Sequence, residues 1–272
     1  DQALLDTGVK FLYGCYATEL LNDARGEPAG IVMTNSSGRQ AVKAKVIIDA
    51  STHATVAHMA GAKFANREQE LSTYTRIVVG GRLSNPNGSI SRRKMPAPVA
   101  ARAEKLYDAW EYSLTTPFDG LHFPALAWIE QSMRNMSWQR GQVDASERVF
   151  FVPRQRIVGQ AGPCQEWPGA RKVDLGICRA KGLARIYVLS GSVNVSSQVA
   201  QQVLKPLQAM GLGRRVGAAA ATEAAARGDL KDVAVRVNRT QASVVLGDVG
   251  DTPGWAPPLD RNLGTVPSPG PV

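Results

Sequence analysis

The apolar positions change period several times along the chain, and each change marks an element. Val9 to Leu21 is one β-rich run, Asp23-Ala24-Arg25-Gly26-Glu27-Pro28 a turn, and Gly30 to Asn35 a second run. Asn35-Ser36-Ser37-Gly38 makes another turn, and Gln40 to Ile48 returns. Gly, Asn, Asp and Ser between such runs are hairpin chemistry, so the pattern predicts a β-meander. Val46 to Ile48 is apolar, β-branched and too short for a helix, which makes it a buried strand. It ends in Asp49-Ala50, crosses a small-polar turn at Ser51-Thr52, and enters a short helix closing on Gly61. Open α/β sheets present ligand sites in this way, outside the carboxyl ends of strands, where helix N–H groups favour anionic oxygens.

Downstream, Thr75 to Gly80 predicts a strand and Asn85-Pro86-Asn87-Gly88 a turn. Val99 to Tyr112 predicts a helix from apolar residues and charges at helical spacing, and Ile129 to Trp138 a second helix. Arg148 to Pro153 reads as a strand halted by proline. Trp110, Tyr112, Trp128 and Trp138 are expected in a core, with a pocket wall as the alternative. Arg185 to Gly191 predicts another buried strand, followed by the N-cap pair Ser196-Ser197 and a helical run to Met210 with Pro206 inside it. Gly211, Gly213 and Gly217 fall between helical runs, so they read as close helix packing rather than a phosphate loop. Beyond Gly228, Val233 to Val237 and Ala242 to Leu246 predict a strand pair. The prolines at 253, 257, 258, 267, 269 and 271 predict a linker or tail.

Two of these blocks together resemble a known family. Residues 46–62 are similar in length and order to the Ile-Asp-Ala-Thr-Gly-Asp-Gly-Asp … Ala-Gly-Ala segment of FAD-dependent oxidoreductases with a glutathione-reductase-like flavin domain. Residues 185–221, a strand, a glycine exit and then Gly-Leu-Gly-Arg-Arg-Val-Gly-Ala-Ala-Ala-Ala, resemble the closing segment of the same flavoproteins. The resemblance implies a mixed α/β (α+β) fold, an incomplete FAD/NAD(P)-binding-like domain with a β-meander and an inserted substrate-type domain. The implied division is 1–62 and 185–228 for the flavin domain, 63–184 for the inserted substrate or cap unit, and 229–272 for an extension.

The same resemblance implies FAD as the cofactor and a small organic substrate, with hydride or electrons passed between them. It implies cofactor contacts at Asp49, Ala50, Ser51 and Thr52 on the first strand exit, and at Gly191, Ser192, Asn194 and Ser196 on the second. Asn194 would replace, as a neutral group, the acid that many of these proteins place against the ribityl chain. His53, at the ligand turn, and Lys205, near an arginine position of the flavin-facing helix, are the catalytic candidates.

Departures from the family accompany the match. No Gly-x-Gly-x-x-Gly follows a strand near residue 1, and the opening Asp-Gln-Ala-Leu-Leu-Asp-Thr-Gly reads as the end of a helix. The expectation is that roughly a hundred or more residues of a flavin domain lie outside this chain. An uncovered sheet edge would then favour self-association. Thr52-His53-Ala54-Thr55 stands where the family has Gly-Asp-Gly-Asp, putting a β-branched side chain where glycine admits close backbone approach. A cofactor-free structural or interaction module built on the same scaffold is the alternative.

Composition narrows the remaining classes. With 272 residues and 44% hydrophobic content the chain can bury a core. It contains no apolar run of about 18 residues that would predict a membrane span. The net charge of +9, densest at Arg92-Arg93-Lys94 with smaller clusters at Arg154/Arg156 and Arg214-Arg215, invites polyanions. No helix-turn-helix, zinc-finger or RNA-binding aromatic signature accompanies it, so a nucleic-acid partner is not expected. Cys15, Cys164 and Cys178 give neither metal spacing nor a disulfide framework. Core packing is their expected role, with redox-active loop thiols at 164 and 178 as the alternative. His53, His58 and His122 have no paired Cys or carboxylate at ligand spacing, so no metal is expected. No Gly-x-Ser-x-Gly elbow is present.

Overall fold

The turn chemistry of the first fifty residues shapes their fold. After a short helix α1 (Gln2–Asp6), strands β1 (Tyr16–Asn22), β2 (Pro28–Asn35) and β3 (Gly38–Lys43) form an antiparallel meander. Asp23 Oδ1 accepts the backbone N–H groups of Arg25 and Glu27 at 2.9 and 3.0 Å, and Asn35 Oδ1 accepts that of Ser37 at 2.9 Å. The predicted first strand starts later than Val9, and the predicted return divides. Its first part is the exposed strand β3; its second is β4 (Ile47–Asp49), which leaves the meander and ends on the buried Asp49.

The computed structural model describes residues 2–67, 71–81, 90–101, 104–117 and 123–235, within a unit that extends to Val237. The predicted turn at 85–88, His122, the predicted strand at 242–246 and the proline-rich tail lie outside the described residues.

Helix α2 (Thr55–Met59) follows β4, and then come β5 (Phe64–Asn66), β6 (Ser72–Gly80), β7 (Ile90–Lys94), β8 (Val99–Ala101), β9 (Lys105–Tyr107) and β10 (Ala109–Thr116). Helix α3 (Phe123–Ser137) leads to β11 (Gln142–Ala145), β12 (Phe150–Phe151) and β13 (Gln155–Ile157). The chain closes through β14 (Ile186–Val188), α4 (Ser197–Val203), α5 (Pro206–Ala226) and β15 (Ala234–Val235) on the meander edge.

The described part of 99–112 forms β8, β9 and the start of β10, not the predicted helix. From Ala109 onward Trp110, Tyr112 and Leu114 alternate with Glu111, Ser113 and Thr115, a period of two that fits a half-buried strand. The predicted helix through Pro206 also divides. Pro206 cannot continue α4 but suits the first position of α5, where its missing N–H has no intrahelical partner to lose. Gly211 and Gly213 lie inside α5, and a Cβ at Gly211 would stand 3.0 Å from Ala170 Cβ, so close packing is what that glycine permits.

Two hydrophobic clusters result. The first gathers around β14, all of it buried, with Val56 and Ala57 of α2, Val199 and Val203 of α4, and Leu212, Val216 and Ala220 at four-residue spacing on α5. Ile157, Ile177 and Cys178 belong to the same cluster. The second joins Tyr74 and Val78 of β6 and Tyr112 and Leu114 of β10 to Ile129 and Met133 of α3. Trp110 and Trp128 pack against it, whereas Trp138 is exposed. The sheet in this second region runs β11-β6-β10-β7, with β12 also paired to β6. Among the described residues no helix is long and apolar enough to cross a membrane.

Candidate functional site

Strands β4 and β14 pair in parallel, with Ile47 opposite Ile186, Ile48 opposite Tyr187 and Asp49 opposite Val188. Both carboxyl ends therefore open on the same side, and the two exits touch. Leu189 N–H donates to the Asp49 carbonyl at 2.8 Å, and Ser192 Oγ donates to the Thr52 carbonyl at 3.0 Å.

At the first exit the Asp49 carboxylate is spent on its own turn. Oδ1 accepts Ser51 N–H and Oγ–H at 3.1 and 2.6 Å, and Oδ2 accepts Ala57 N–H of α2 at 2.9 Å. Ser51 Oγ in turn accepts Thr55 N–H at 2.7 Å. These bonds hold strand, turn and helix as one piece, and they leave the exposed Ala50 and Thr52 at the surface of the turn. Ala54, where the resembled family has glycine, sits in the left-handed region at φ 51° and is fully buried. That conformation costs an alanine about 1–2 kcal/mol and shows why glycine suits the position.

The second exit is organised by a residue that no sequence motif marks. Arg67, just after β5, is buried, and every nitrogen of its guanidinium faces main-chain carbonyls. Nε donates to Val195 at 3.1 Å; Nη2 donates to Gly191 at 2.7 Å and Val193 at 3.1 Å; Nη1 donates to Gln155 at 3.2 Å and also to Pro153. Burial, and then the neighbouring Arg156 charge, push its pKa down to about 10. Its donors saturate the loop, so what remains for a ligand is its charge. Its acceptors lie 86 to 128 residues away in the chain, which is why local pattern gave no sign of it.

The loop itself is tightly fitted. A Cβ at Gly191 would lie 2.6 Å from Pro153 Cδ, so only glycine fits there without displacement. Asn194 donates to the Ala161 carbonyl at 2.9 Å and accepts from Arg156 Nη1, while its backbone N–H reaches the Ile177 carbonyl at 2.9 Å. Ser196 caps α4 by accepting Val199 N–H at 3.4 Å. Like Asp49, Asn194 and Ser196 shape backbone with the bonds they make.

Two cavities adjoin these exits, and a third lies between β6 and the α4–α5 junction. One of about 440 Å³ is lined by Asn66, Arg67, Arg156, Gln165, Ser196, Ser197 and Gln198, which give two guanidiniums, three amides, two hydroxyls and, among the described residues, no carboxylate. A second, of about 470 Å³, has Thr52 and His53 facing Leu126, Glu130 and Arg134 of α3. The His53 ring lies 5.6 Å from that of Phe151. The third, of about 620 Å³, is lined in part by Lys205, Gln201 and Leu204 across from β6. Phe150 lines the third cavity and Phe151 the second, since successive strand residues point to opposite faces. The two catalytic candidates, His53 and Lys205, therefore face different spaces.

The donor set of the first cavity is suited to an anionic ligand, and FAD's anionic diphosphate oxygens meet that requirement. The other candidates recede. Burial pushes the Cys178 thiol up to about 12 and raises that of Cys164, so both are held as thiols, not reactive thiolates. The dense basic run on β7 is largely answered in place, with Arg93 on Glu111 at 2.8 Å and Lys94 on Asp108 at 2.7 Å. His58 stacks on Phe64 with ring centroids 3.5 Å apart, on α2 and β5.

Among solved structures, the chain is similar to the flavin-dependent brominase Bmp2, with 14% identity and a TM-score of 0.46 over 83% of this chain and 54% of that one. It is also similar to CabE, an aromatic hydroxylase from angucycline biosynthesis, with 12% identity and a TM-score of 0.43 over 81% and 42%. A third is Xcc4156, a flavin-dependent halogenase from Xanthomonas campestris, with 10% identity and a TM-score of 0.40 over 79% and 42%. The chain thus spans about half the length of these structures or somewhat less. No curated protein matches it. The family model described as FAD dependent oxidoreductase matches residues 1–144, more than half of the 272 and the part that holds the meander, β4 and the Asp49 turn. The paired strand exits and the family match agree: this chain belongs to the FAD-dependent oxidoreductase family, and FAD is the cofactor of that family.

Proposed function

We propose that this chain supplies part of an FAD cradle and the substrate side of an oxidoreductase that moves hydride or electrons between the flavin and a small organic molecule. The observation that supports it most is the joining of two strand exits beside a cavity that holds two arginines and, among the described residues, no carboxylate. FAD, when bound, carries the electrons, and the protein supplies orientation and electrostatics. Arg156, Gln165, Gln198 and Ser197 are the groups placed to hold anionic oxygens of the cofactor. Arg67 adds positive potential and fixes the backbone of Gly191, Ser192 and Asn194. Asp49 and Asn194 set the shape of their loops, and Ala50, Ser51, Thr52 and Ser196 present backbone to the cofactor. In the division 1–62 and 185–228 for flavin and 63–184 for substrate, the five-stranded sheet falls on the substrate side, while Arg67, Arg156 and Gln165 of the middle segment serve the cofactor side. His53 and Lys205 then serve separate tasks, because they face separate cavities.

The test is FAD retention by the full chain, read as visible flavin absorbance after desalting and as quenching of flavin fluorescence in titration. Flavin is expected to be retained. Gln198→Glu, on an exposed position in the first turn of α4, is expected to weaken retention at least tenfold while leaving the melting curve unchanged, since a carboxylate suits a helix start but repels an anion. A chain that takes up no FAD overturns the reading and leaves the cofactor-free module in its place.

A further inference from the structure

The five-stranded sheet is covered by α3 on one face only. Tyr74, Val78, Tyr112 and Leu114 point into the cluster beneath α3. The alternate positions Thr75 and Ile77 of β6 and Glu111 of β10 face the cavity of about 620 Å³, whose opposite wall is the junction of α4 and α5. That volume lies within the roughly 300–1,000 Å³ of small-molecule sites. Its floor and lip are apolar, with Ile77 and Phe150 from the sheet and Leu204 and Pro206 from the helices.

Charge in this wall is unbalanced. Arg93 is answered by Glu111 at 2.8 Å, which leaves Lys205 as the excess cation. Among the described residues no carboxylate pairs with Lys205. It also stands at the N-cap of the 21-residue helix α5, where no acidic residue occupies the first turn. A cation at a helix start faces the positive end of the macrodipole, so its placement is unfavourable until an anion joins it.

We infer that this cavity binds an organic anion, a carboxylate or sulfonate carried on an apolar body of one or two rings, with the acid group on Lys205 and the body against Ile77, Phe150 and Leu204. Calling this anion the substrate rests on the FAD reading above; the binding site itself does not. Helix α4 links the two spaces: Ser197 and Gln198 line the cationic cavity and Gln201 and Leu204 this one, about 10 Å end to end at ~1.5 Å per residue.

The test uses the full chain and two probes, 2-naphthoate and its uncharged analogue 2-naphthamide, with binding read by calorimetry and FAD titrated into the same samples. Naphthoate is expected to bind at least tenfold more tightly than the amide. Lys205→Met, which keeps the aliphatic stem, is expected to lose at least tenfold for naphthoate and nothing for the amide. Phe150→Glu is expected to weaken both probes, and Gln198→Glu neither, which separates this cavity from the cationic one. Equal affinity for acid and amide, an unaffected Lys205→Met, or no naphthoate binding overturns the inference. FAD uptake without naphthoate binding sinks this site alone. Naphthoate binding without FAD uptake supports the site and sinks the flavin reading.

Discussion

Two buried arginines sit at opposite ends of the β4–β14 pair, and they are handled in opposite ways. Arg185, immediately before β14, places Nη2 at 2.7 Å from Asp23 and 2.8 Å from Glu27, and Nη1 donates to the Pro28 carbonyl at 3.3 Å. The pattern continues outward. Arg227 meets Glu27 at 3.5 Å and Glu223 at 2.6 Å; Arg179 meets Glu223 at 3.1 Å; and Tyr187 donates its hydroxyl to Glu223 at 2.9 Å. Three arginines face three acids, so this end is neutral and ties the first meander turn and α5 to the central strand. Arg67, at the carboxyl end, has among the described residues only carbonyl dipoles around it and no carboxylate to compensate its charge. A charge compensated in place holds a structure together. A charge solvated by dipoles alone also projects a field, and it does so where the strand exits open.

The most severe way to break this contrast is Arg67→Met. Five carbonyls lose this donor at once; that of Val193 keeps the Val195 N–H, and the other four are left unsatisfied at roughly 1–3 kcal/mol each, so a loss of about 4 kcal/mol or more is expected in urea unfolding even after water enters. FAD retention is expected to vanish with it. A melting curve within a degree or two of the parent's would mean that the loop does not depend on Arg67.

Arg185→Met should cost less. Asp23 then loses its cation and Glu27 keeps only Arg227, at 3.5 Å, but both acids sit at a turn where water or a proton can relieve them. The expected outcome is a lower urea midpoint than the parent, higher than that of Arg67→Met, with FAD affinity changed less than twofold. If FAD affinity falls as far as it does in Arg67→Met, the two ends do not divide structure from binding.

The neutral end also predicts an acid response. Burial works to raise the Asp23 carboxyl, but backbone N–H groups of Glu27 and Arg25 and the Arg185 guanidinium outweigh it and hold the carboxyl below its usual 3.8. Burial likewise opposes, and Arg227, Tyr187 and Arg179 overcome it, to hold Glu223 below 4.5. Groups lowered in the folded state stabilise it above their unfolded values, and that contribution drains away as the pH falls through the lowered ones. Urea midpoints should therefore be level near neutrality and fall below pH about 4.5. Asp23→Asn combined with Glu223→Gln should flatten that fall, and an unaltered acid limb in the double variant would assign it elsewhere.

How much of this was legible depends on how far apart the partners lie. The turns at Asp23 and Asn35, the strands at 47–49 and 186–188, and the Ser196 cap are local, and each can be read within a window of a few residues; the expected burial holds for 186–188 but not for the first strand, where Ile48 is exposed. Residues 99–112 misled because charges in their first half imitate a helical spacing, while the alternation that decides the matter becomes clear only from Ala109 to Thr116. Asp49 was visible as a residue of interest, but its work on Ala57, eight residues along, belongs to the turn more than to a ligand. Arg67 was invisible, because its carbonyls come from two other segments, around Pro153 and Gly191.

The finest test of the comparison is the single bond that joins the exits. Ser192 Oγ donates to the Thr52 carbonyl at 3.0 Å, and Ser192→Ala removes that donor without touching either arginine. The hydroxyl is small and the alanine leaves no large void, so the stability cost should be about 1 kcal/mol, the net value of one hydrogen bond. If the joined exits form one cradle, loosening them costs binding more than stability. FAD affinity should then fall by more than the roughly fivefold that 1 kcal/mol represents. If affinity falls less than stability does, the bond is a rivet of the fold, and the boundary between the neutral end and the binding end lies further out, at Arg156 and Gln198.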